Sequence, residues 1–445
     1  MTTLRRFSPN MGNLARKSKL VACCLAAGLL PASCGPASYP KAQVAERLVR
    51  TCKTEYGLDV KAQLAGTTLG VQAEIPGLMD DLRRLSPATL PEVPPVLIEG
   101  KYTRQAFDFR MFTRGTFTKA EKKPSEEGGP REPTESLKKL QQVSTALMRA
   151  CLSTDAPIEF YKMIARDPGP DHLDILLSGH ILDSKKTYMQ LISIGEMQNR
   201  NEFSLRHQPE EVARATVASF LLDLRDRPLP QLLSRYTAPS KRFGDLLPMV
   251  MAVAMDLRGA KGGGLKPEEW AVRQIARDTV LVYLPLEQVG LKGGHLFSVQ
   301  LQEEAGALLS IEKIEEGSSL PEPYRSLGPP SEWSQYFYLE PISLPEFVTE
   351  QISKRVMSEF KSTHPEAKPE DKPRAQREAA EKPATIQEVT RSLMDAAAYV
   401  TENYDFKDFK EISVVDGLKG TRWAVPAAEL PLYKKRNAPE LKPLP

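Results

Sequence analysis

Residues 44–52 read VAERLVRTC and residues 143–151 read VSTALMRAC. In each stretch Val, Leu and Cys fall at i, i+4 and i+8, so they line one face of an α-helix. Four of the nine aligned positions are identical: Val44/Val143, Leu48/Leu147, Arg50/Arg149 and Cys52/Cys151. The segments after the two helices are also alike. After Cys52, Val60, Ala62 and Leu64 alternate with Lys61 and Gln63; Ala65-Gly66-Thr67 turns the chain, and Leu69, Val71 and Ala73 alternate again. That is the period-two pattern of a hairpin with one buried face. After Cys151, an apolar run from Ile158 to Ala165 breaks at Asp167-Pro168-Gly169-Pro170-Asp171 and resumes over Leu173–Leu182, and a third strand is expected over Thr187–Ile194. Residues 34–204 therefore read as two helix–strand–strand units.

The same plan is expected again at the C-terminus. Thr385 and Glu388 have the spacing of a capping box, ahead of the helical stripe Ile386, Val389, Leu393, Ala397 and Val400. Strands near Phe409–Val415 and Thr421–Val425 flank the Asp416-Gly417 turn, so 385–436 form a small helix-plus-hairpin unit. A second capping box, Ser343 to Glu346, opens a helix through Val348, Ile352, Val356 and Phe360, within a loop-and-helix segment over 317–361. Residues 119–135 and 362–384 are crowded with Pro, Lys and Glu, and such compositions cannot bury enough apolar surface to offset their ordering entropy. They are expected to be disordered linkers, and the basic, Pro-rich tail 437–445 is expected to fray. Proline, 37 of 445 residues, stands at about 8% against a usual share near 5%. The fold class is α+β: several small domains of helix plus antiparallel sheet.

Sixty Lys and Arg against 57 Asp and Glu leave a net charge of +3, which argues against a nucleic-acid binder driven by phosphate contacts. The N-terminus is an address. Arg5, Arg6, Arg16, Lys17 and Lys19 precede an apolar run over Leu20–Leu30, then the small residues that mark a secretory cleavage zone. The run is too short for a bilayer span, which needs about 20 residues. Its end, Pro31-Ala32-Ser33-Cys34, resembles a bacterial lipoprotein signal, in which the cysteine becomes the lipid-bearing first residue of the mature chain. Ala32, Ser33 and Cys34 fit that pattern, while Pro31 occupies the place usually held by Leu. Leu20-Val21-Ala22-Cys23 matches in letters but has only a polar, basic stretch before it. The resemblance implies residues 1–33 as signal, lipidation at Cys34, and an envelope location, periplasmic or at the outer surface. An ordinary cleaved signal is the alternative. Export would leave Cys52 and Cys151 in an oxidising compartment, where they invite a disulfide. In the chain-entropy picture its loop of about 100 residues is worth roughly 4–5 kcal/mol. Two buried free thiols are the alternative.

Residues 205–316 form an α+β domain. Pro209-Glu210-Glu211 opens a helix with the stripe Ala213, Val217, Phe220, Leu221 and Leu224. An apolar helix over Leu246–Leu257 follows, then strands over Thr279–Leu284, His295–Leu301 and Leu308–Ile314. Helices followed by an antiparallel sheet resemble the NTF2-like fold. The resemblance implies a cone around an apolar pocket, in which some members place an Asp or His, and Asp223 and His295 are the residues to inspect.

Other chemistry is sparse. The five histidines, His172, His180, His207, His295 and His364, show no zinc-site spacing, although His172 and His180 could share a strand face. Gly259–Lys266 lacks the Ser or Thr of a phosphate loop and reads as a helix cap and turn. The aromatic cluster Trp333, Tyr336, Phe337 and Tyr338 reads as a glycan or protein contact, or as an anchor packing a loop on its neighbour. The expectation is an exported, lipid-anchored envelope protein with a non-catalytic binding or scaffolding role. Its partners would be the membrane surface, envelope proteins or cell-wall material, with no cofactor, metal or nucleic acid. The alternative is an enzyme or small-ligand carrier using the central pocket.

Overall fold

The computed structural model describes residues 40–85, 95–115, 117–119, 133–154, 157–236, 243–259, 264–301, 310–316, 327–362, 383–434 and 439–444. Residues 1–33, Cys34 and the stretches 120–132 and 363–382 lie outside them, and with them the export signal, the lipidation site and most of both expected linkers. The fold is α+β and divides into two compact units, between which the chain from residue 40 onward passes three times. The first holds the described residues within 17–88 and 133–341, the second those within 89–132 and 342–445.

In the first unit, helix α1 (Val44–Tyr56) buries Val44, Leu48 and Cys52. It stops at Gly57, whose left-handed φ of +68° lets its own N–H and that of Leu58 close onto the carbonyls of Lys53 and Cys52. Strands β1 (Val60–Ala65) and β2 (Thr68–Glu74) form the expected hairpin, with Gly66 at φ +60° in the two-residue turn. After the short α2 (Leu78–Leu85), the plan recurs: α3 (Glu135–Leu152) leads into β6 (Phe160–Arg166) and β7 (Leu173–His180). The two hairpins join through β2 and β6, which run parallel, to give the sheet order β1-β2-β6-β7-β8. The sheet is therefore mixed, not antiparallel throughout. Helices α1 and α3 pack on each other and on one face of this sheet. Their shared core includes Leu48, Cys52, Leu69, Val71, Leu147, Cys151 and Met163; each fully buried Leu or Val contributes about 1.5–3 kcal/mol.

The strand expected over Thr187–Ile194 is not formed. Helix α4 (Ile181–Tyr188) starts directly at His180, whose Nδ1 accepts the Leu182 N–H at 3.0 Å, and α5 (Ile194–Arg200) follows with Ser193 as its N-cap. Only then does β8 (Glu202–His207) complete the sheet. The apolar residues that suggested a strand, Tyr188, Met189, Leu191 and Ile194, are exposed, so their pattern reported no buried face. His172 sits in the turn before β7 at φ +46°, so the two histidines share no strand face.

Helices α6 (Pro209–Asp226), α7 (Leu229–Tyr236) and α8 (Phe243–Gly259) come next. They precede an antiparallel sheet of β9 (Ala271–Gln274), β10 (Thr279–Pro285), β11 (Gly294–Gln300) and β12 (Ser310–Glu316), in the order β12-β11-β10-β9. A strap over 330–341 completes this unit. Its Trp333 packs on Leu281 and Leu296 of the four-stranded sheet, and its Leu339 lies on Gly70 of the five-stranded one. A Cβ added to Gly70 would fall 2.5 Å from Leu339 Cδ1.

The second unit repeats the first unit's sheet plan with a different chain order. Hairpin β3 (Val96–Thr103) and β4 (Ala106–Thr113) joins hairpin β14 (Glu411–Asp416) and β15 (Arg422–Pro426) through a parallel β4–β14 pair. Helices α9 (Leu344–Glu359) and α10 (Ile386–Asn403) pack on each other, as α1 and α3 do. A two-stranded ribbon, β5 (Phe117–Lys119) with β13 (Phe360–Ser362), lies in the same unit. The capping box at Thr385 and Glu388 is present. At the start of α9, Ser343 Oγ bonds the Glu346 carboxylate instead, at 2.8 Å. The expected elements do not include β3 and β4, although Phe107, Phe109 and Met111 alternate with Asp108 and Arg110 and are buried. The C-terminal unit is therefore not a self-contained hairpin, and the tail does not simply fray: the Leu444 N–H donates to Arg422 O at 2.7 Å, satisfying the open edge of β15.

Fragment 342–445 lacks β3 and β4 and leaves bare one edge of β14 and the face of α9 that packs on β3. By circular dichroism and amide exchange it should be unfolded alone. Co-expression with residues 89–132 should restore exchange protection in β14.

Candidate functional site

The five-stranded sheet buries its helix-facing side in the ordinary way, but its other side carries charge. Strand registers align Glu74, Arg166, Asp174 and Arg206 in one row across β2, β6, β7 and β8. Asp174 is fully buried. Both of its oxygens are taken by Arg166, with Nε at 3.0 Å from Oδ1 and Nη2 at 3.2 Å from Oδ2, and the same Nη2 reaches Glu210 Oε2 on the first turn of α6 at 3.0 Å. Burial raises the Asp174 pKa by more than Arg166 and Arg206 lower it. This bidentate pair locks β6 to β7 and fastens α6 to the sheet.

Arg206 is left over. Its Nη2 stands 3.8 Å from Asp174 Oδ2, beyond hydrogen-bond reach, and its Nε is buried with no hydrogen-bond partner. The guanidinium lines a cleft of about 720 Å³. The walls are His207 at the end of β8, Pro209 and Val212 on the first turn of α6, Arg277 and Asp278 in the β9–β10 turn, and Tyr338 on the strap. Asp278 is held by the Thr279 hydroxyl and the Gln300 amide. Lys162 on β6 is close enough that burial, then Arg206, and more weakly Arg277, push its ammonium pKa down, against the opposing pull of Glu202 and Glu340. The cleft can offer several N–H donors to an anionic or strongly polar group.

The strap disperses the aromatic cluster singled out in the sequence. Trp333 is buried as an anchor, with Nε1 donating to Gly328 O at 3.3 Å, while Phe337 and Tyr338 are half-buried. Tyr336 is exposed beneath the Arg273 guanidinium. Tyr338 alone of the four reaches the cleft.

Asp223 and His295 do not converge. Asp223 ties α6 to α7 through Arg235 at 2.8 Å, Tyr236 at 2.9 Å and Arg227 at 2.9 Å. Burial alone would raise its pKa, but those partners outweigh it and hold the carboxyl below its usual range. His295 is fully buried on β11, with Nε2 at 2.8 Å from Asp256 on α8. Phe220, Val250, Val282, Phe297 and Ile311 belong to one buried apolar cluster of this domain. Cys52 and Cys151 are free buried thiols in the helix–sheet core, so the bridge invited by their spacing is not made. Burial pushes the Cys52 thiol up to about 11 and raises Cys151 further, which suppresses the thiolates that disulfide exchange needs. Among the described residues, no cluster of three or more His, Cys, Asp or Glu is arranged to hold a metal ion. No described helix is long and apolar enough to cross a membrane.

Sequence reasoning missed Arg206 and Arg277. Each is one of many arginines, and no spacing rule links residues that meet only through two different sheets. No family model matches this chain, nor does any curated protein or solved structure.

Arg166 and Arg206 should separate cleanly in equilibrium unfolding. Arg166→Ala strands the buried Asp174 charge and should cost about 3–5 kcal/mol, whereas Arg206→Ala should cost about 1 kcal/mol or less. Asp223→Asn should lower Tm at neutral pH. Because the folded carboxyl has the lower pKa, its contribution is full above the unfolded value of about 4 and is lost as pH falls below it. Melting curves of variant and parent should therefore converge in acid.

Proposed function

We propose that this chain is an exported envelope protein, anchored by lipid on Cys34, with a non-catalytic binding or scaffolding role toward envelope proteins or cell-wall material. The basic segment, the apolar run and Pro31-Ala32-Ser33-Cys34 support the address. A single acyl-bearing residue would hold the water-exposed units at a membrane surface. The observation that carries the binding role is the cleft beside Arg206. It carries the Arg206 guanidinium, and the Arg166–Asp174–Glu210 network fixes the strand and helix that form part of its wall. Its groups are arranged to hold a partner: Arg206 offers donors, Arg277 adds positive charge, and Tyr338 supplies a flat apolar surface.

Fractionation of the native host and intact mass of the purified chain test this reading. The parent should sit in the membrane fraction, with a mass that begins at Cys34 and carries lipid. Cys34→Ser should leave the membrane fraction and keep an unprocessed or alternatively cleaved N-terminus. A soluble, full-length parent with an unmodified Cys34 would overturn the assignment to the envelope.

A further inference from the structure

We propose that the cleft beside Arg206 is a site for an oxyanion, a carboxylate or a phosphate group carried on a larger polar molecule. This deepens the reading of that cleft as the recognition site and rests on it. Arginine presents five N–H donors in a planar fork, and it is stable out of water only when acceptors meet them. Here the neighbouring carboxylate is turned to Arg166 and lies out of hydrogen-bond reach of Arg206. Asp174 gives both oxygens to Arg166, so Arg206 keeps only a 3.8 Å ion pair and a buried, unbonded Nε. A group with two oxygens arriving from the cleft would supply what Asp174 does not.

The surroundings favour negative charge on that group. Lys162 and Arg277 add cationic charge nearby. The first turn of α6, an 18-residue helix, lines the same cleft and brings its positive dipole end. Two acids there are already engaged: Glu210 with Arg166 and Glu211 with Arg214. Of the other carboxylates, Asp278 is engaged by Thr279 and Gln300, Glu202 accepts from the Ser178 hydroxyl, and Glu202 and Glu340 both sit within electrostatic range of Lys162. At about 720 Å³ the cleft is much larger than one oxyanion. Tyr338, Leu301 and Val212 would face the rest of the molecule.

The test titrates the detergent-solubilised full chain with inorganic phosphate and, separately, with acetate. Sodium chloride holds ionic strength constant, and thermal shift and calorimetry are the readouts. A saturable rise in Tm with either anion, absent with chloride, is expected. Phosphate alone would assign a phosphate-bearing ligand, acetate alone a carboxylate, and both would show that the site reads the shared geometry. Arg206→Gln should abolish the response. Arg206→Lys keeps the charge but not the fork, and should weaken binding about tenfold while folding as the parent does. Arg110→Gln, on the exposed sheet face of the other unit, should change nothing. No saturable response, or one that survives in both Arg206 variants, would overturn the proposal. A chain that sits in the membrane fraction yet ignores both anions would sink this inference alone and leave the envelope reading standing.

Discussion

The parallel pairing of β2 with β6 is the constraint on which the first unit depends. An antiparallel pair closes with a two-residue turn, but a parallel pair needs the chain to return to the starting end through a crossover. Residues 68–74 and 160–166 must therefore be brought together across a long excursion, and α3 covers the seam it makes. The second unit has the same seam between β4 and β14, closed over a far longer stretch of chain. Each of these two sheets joins two local hairpins by one non-local contact, and β8 extends the first. Loop-closure entropy rises only slowly with length, so the distance in sequence costs little once the seam is buried. Neither unit is a continuous piece of chain.

A central strand buried on both faces has consequences for polarity. Every residue of β2 but the last is buried, and a helix pair can cover only one face. The other face is closed by a strap, which requires a glycine at position 70 so that Leu339 can sit against the backbone. Charged side chains on that face cannot be left dry and unpaired. Arg166 answers this by bonding two carboxylates, Asp174 and Glu210, from a strand and a helix at once. The pairing is one-sided. Two arginines flank one buried aspartate, and the one with better geometry takes both oxygens. What remains of Arg206 is what gives the cleft its chemistry.

The local elements were readable from the sequence because local rules govern them. The Val, Leu and Cys stripes of α1 and α3, the Gly66 turn and the Thr385–Glu388 box are set by neighbours a few residues apart. Where reading failed, burial was the missing quantity. Tyr188, Met189, Leu191 and Ile194 are apolar enough to suggest a strand but are exposed at the junction of α4 and α5. Phe107, Phe109 and Met111 do alternate, but the face they bury is built by helices that lie more than 200 residues away in sequence.

The sequence by itself determined the class of the fold and the recurrence of the helix-then-hairpin plan. Periodicity, turn chemistry and composition are properties of short windows, and these need no partner to be recognised. Only the tertiary structure decided which hairpins share a sheet and that Arg206 rather than the aromatic cluster marks the cleft. Those outcomes depend on which of several equivalent groups wins a shared partner. Asp174 has two oxygens and two arginine neighbours, and three-dimensional geometry alone assigns them.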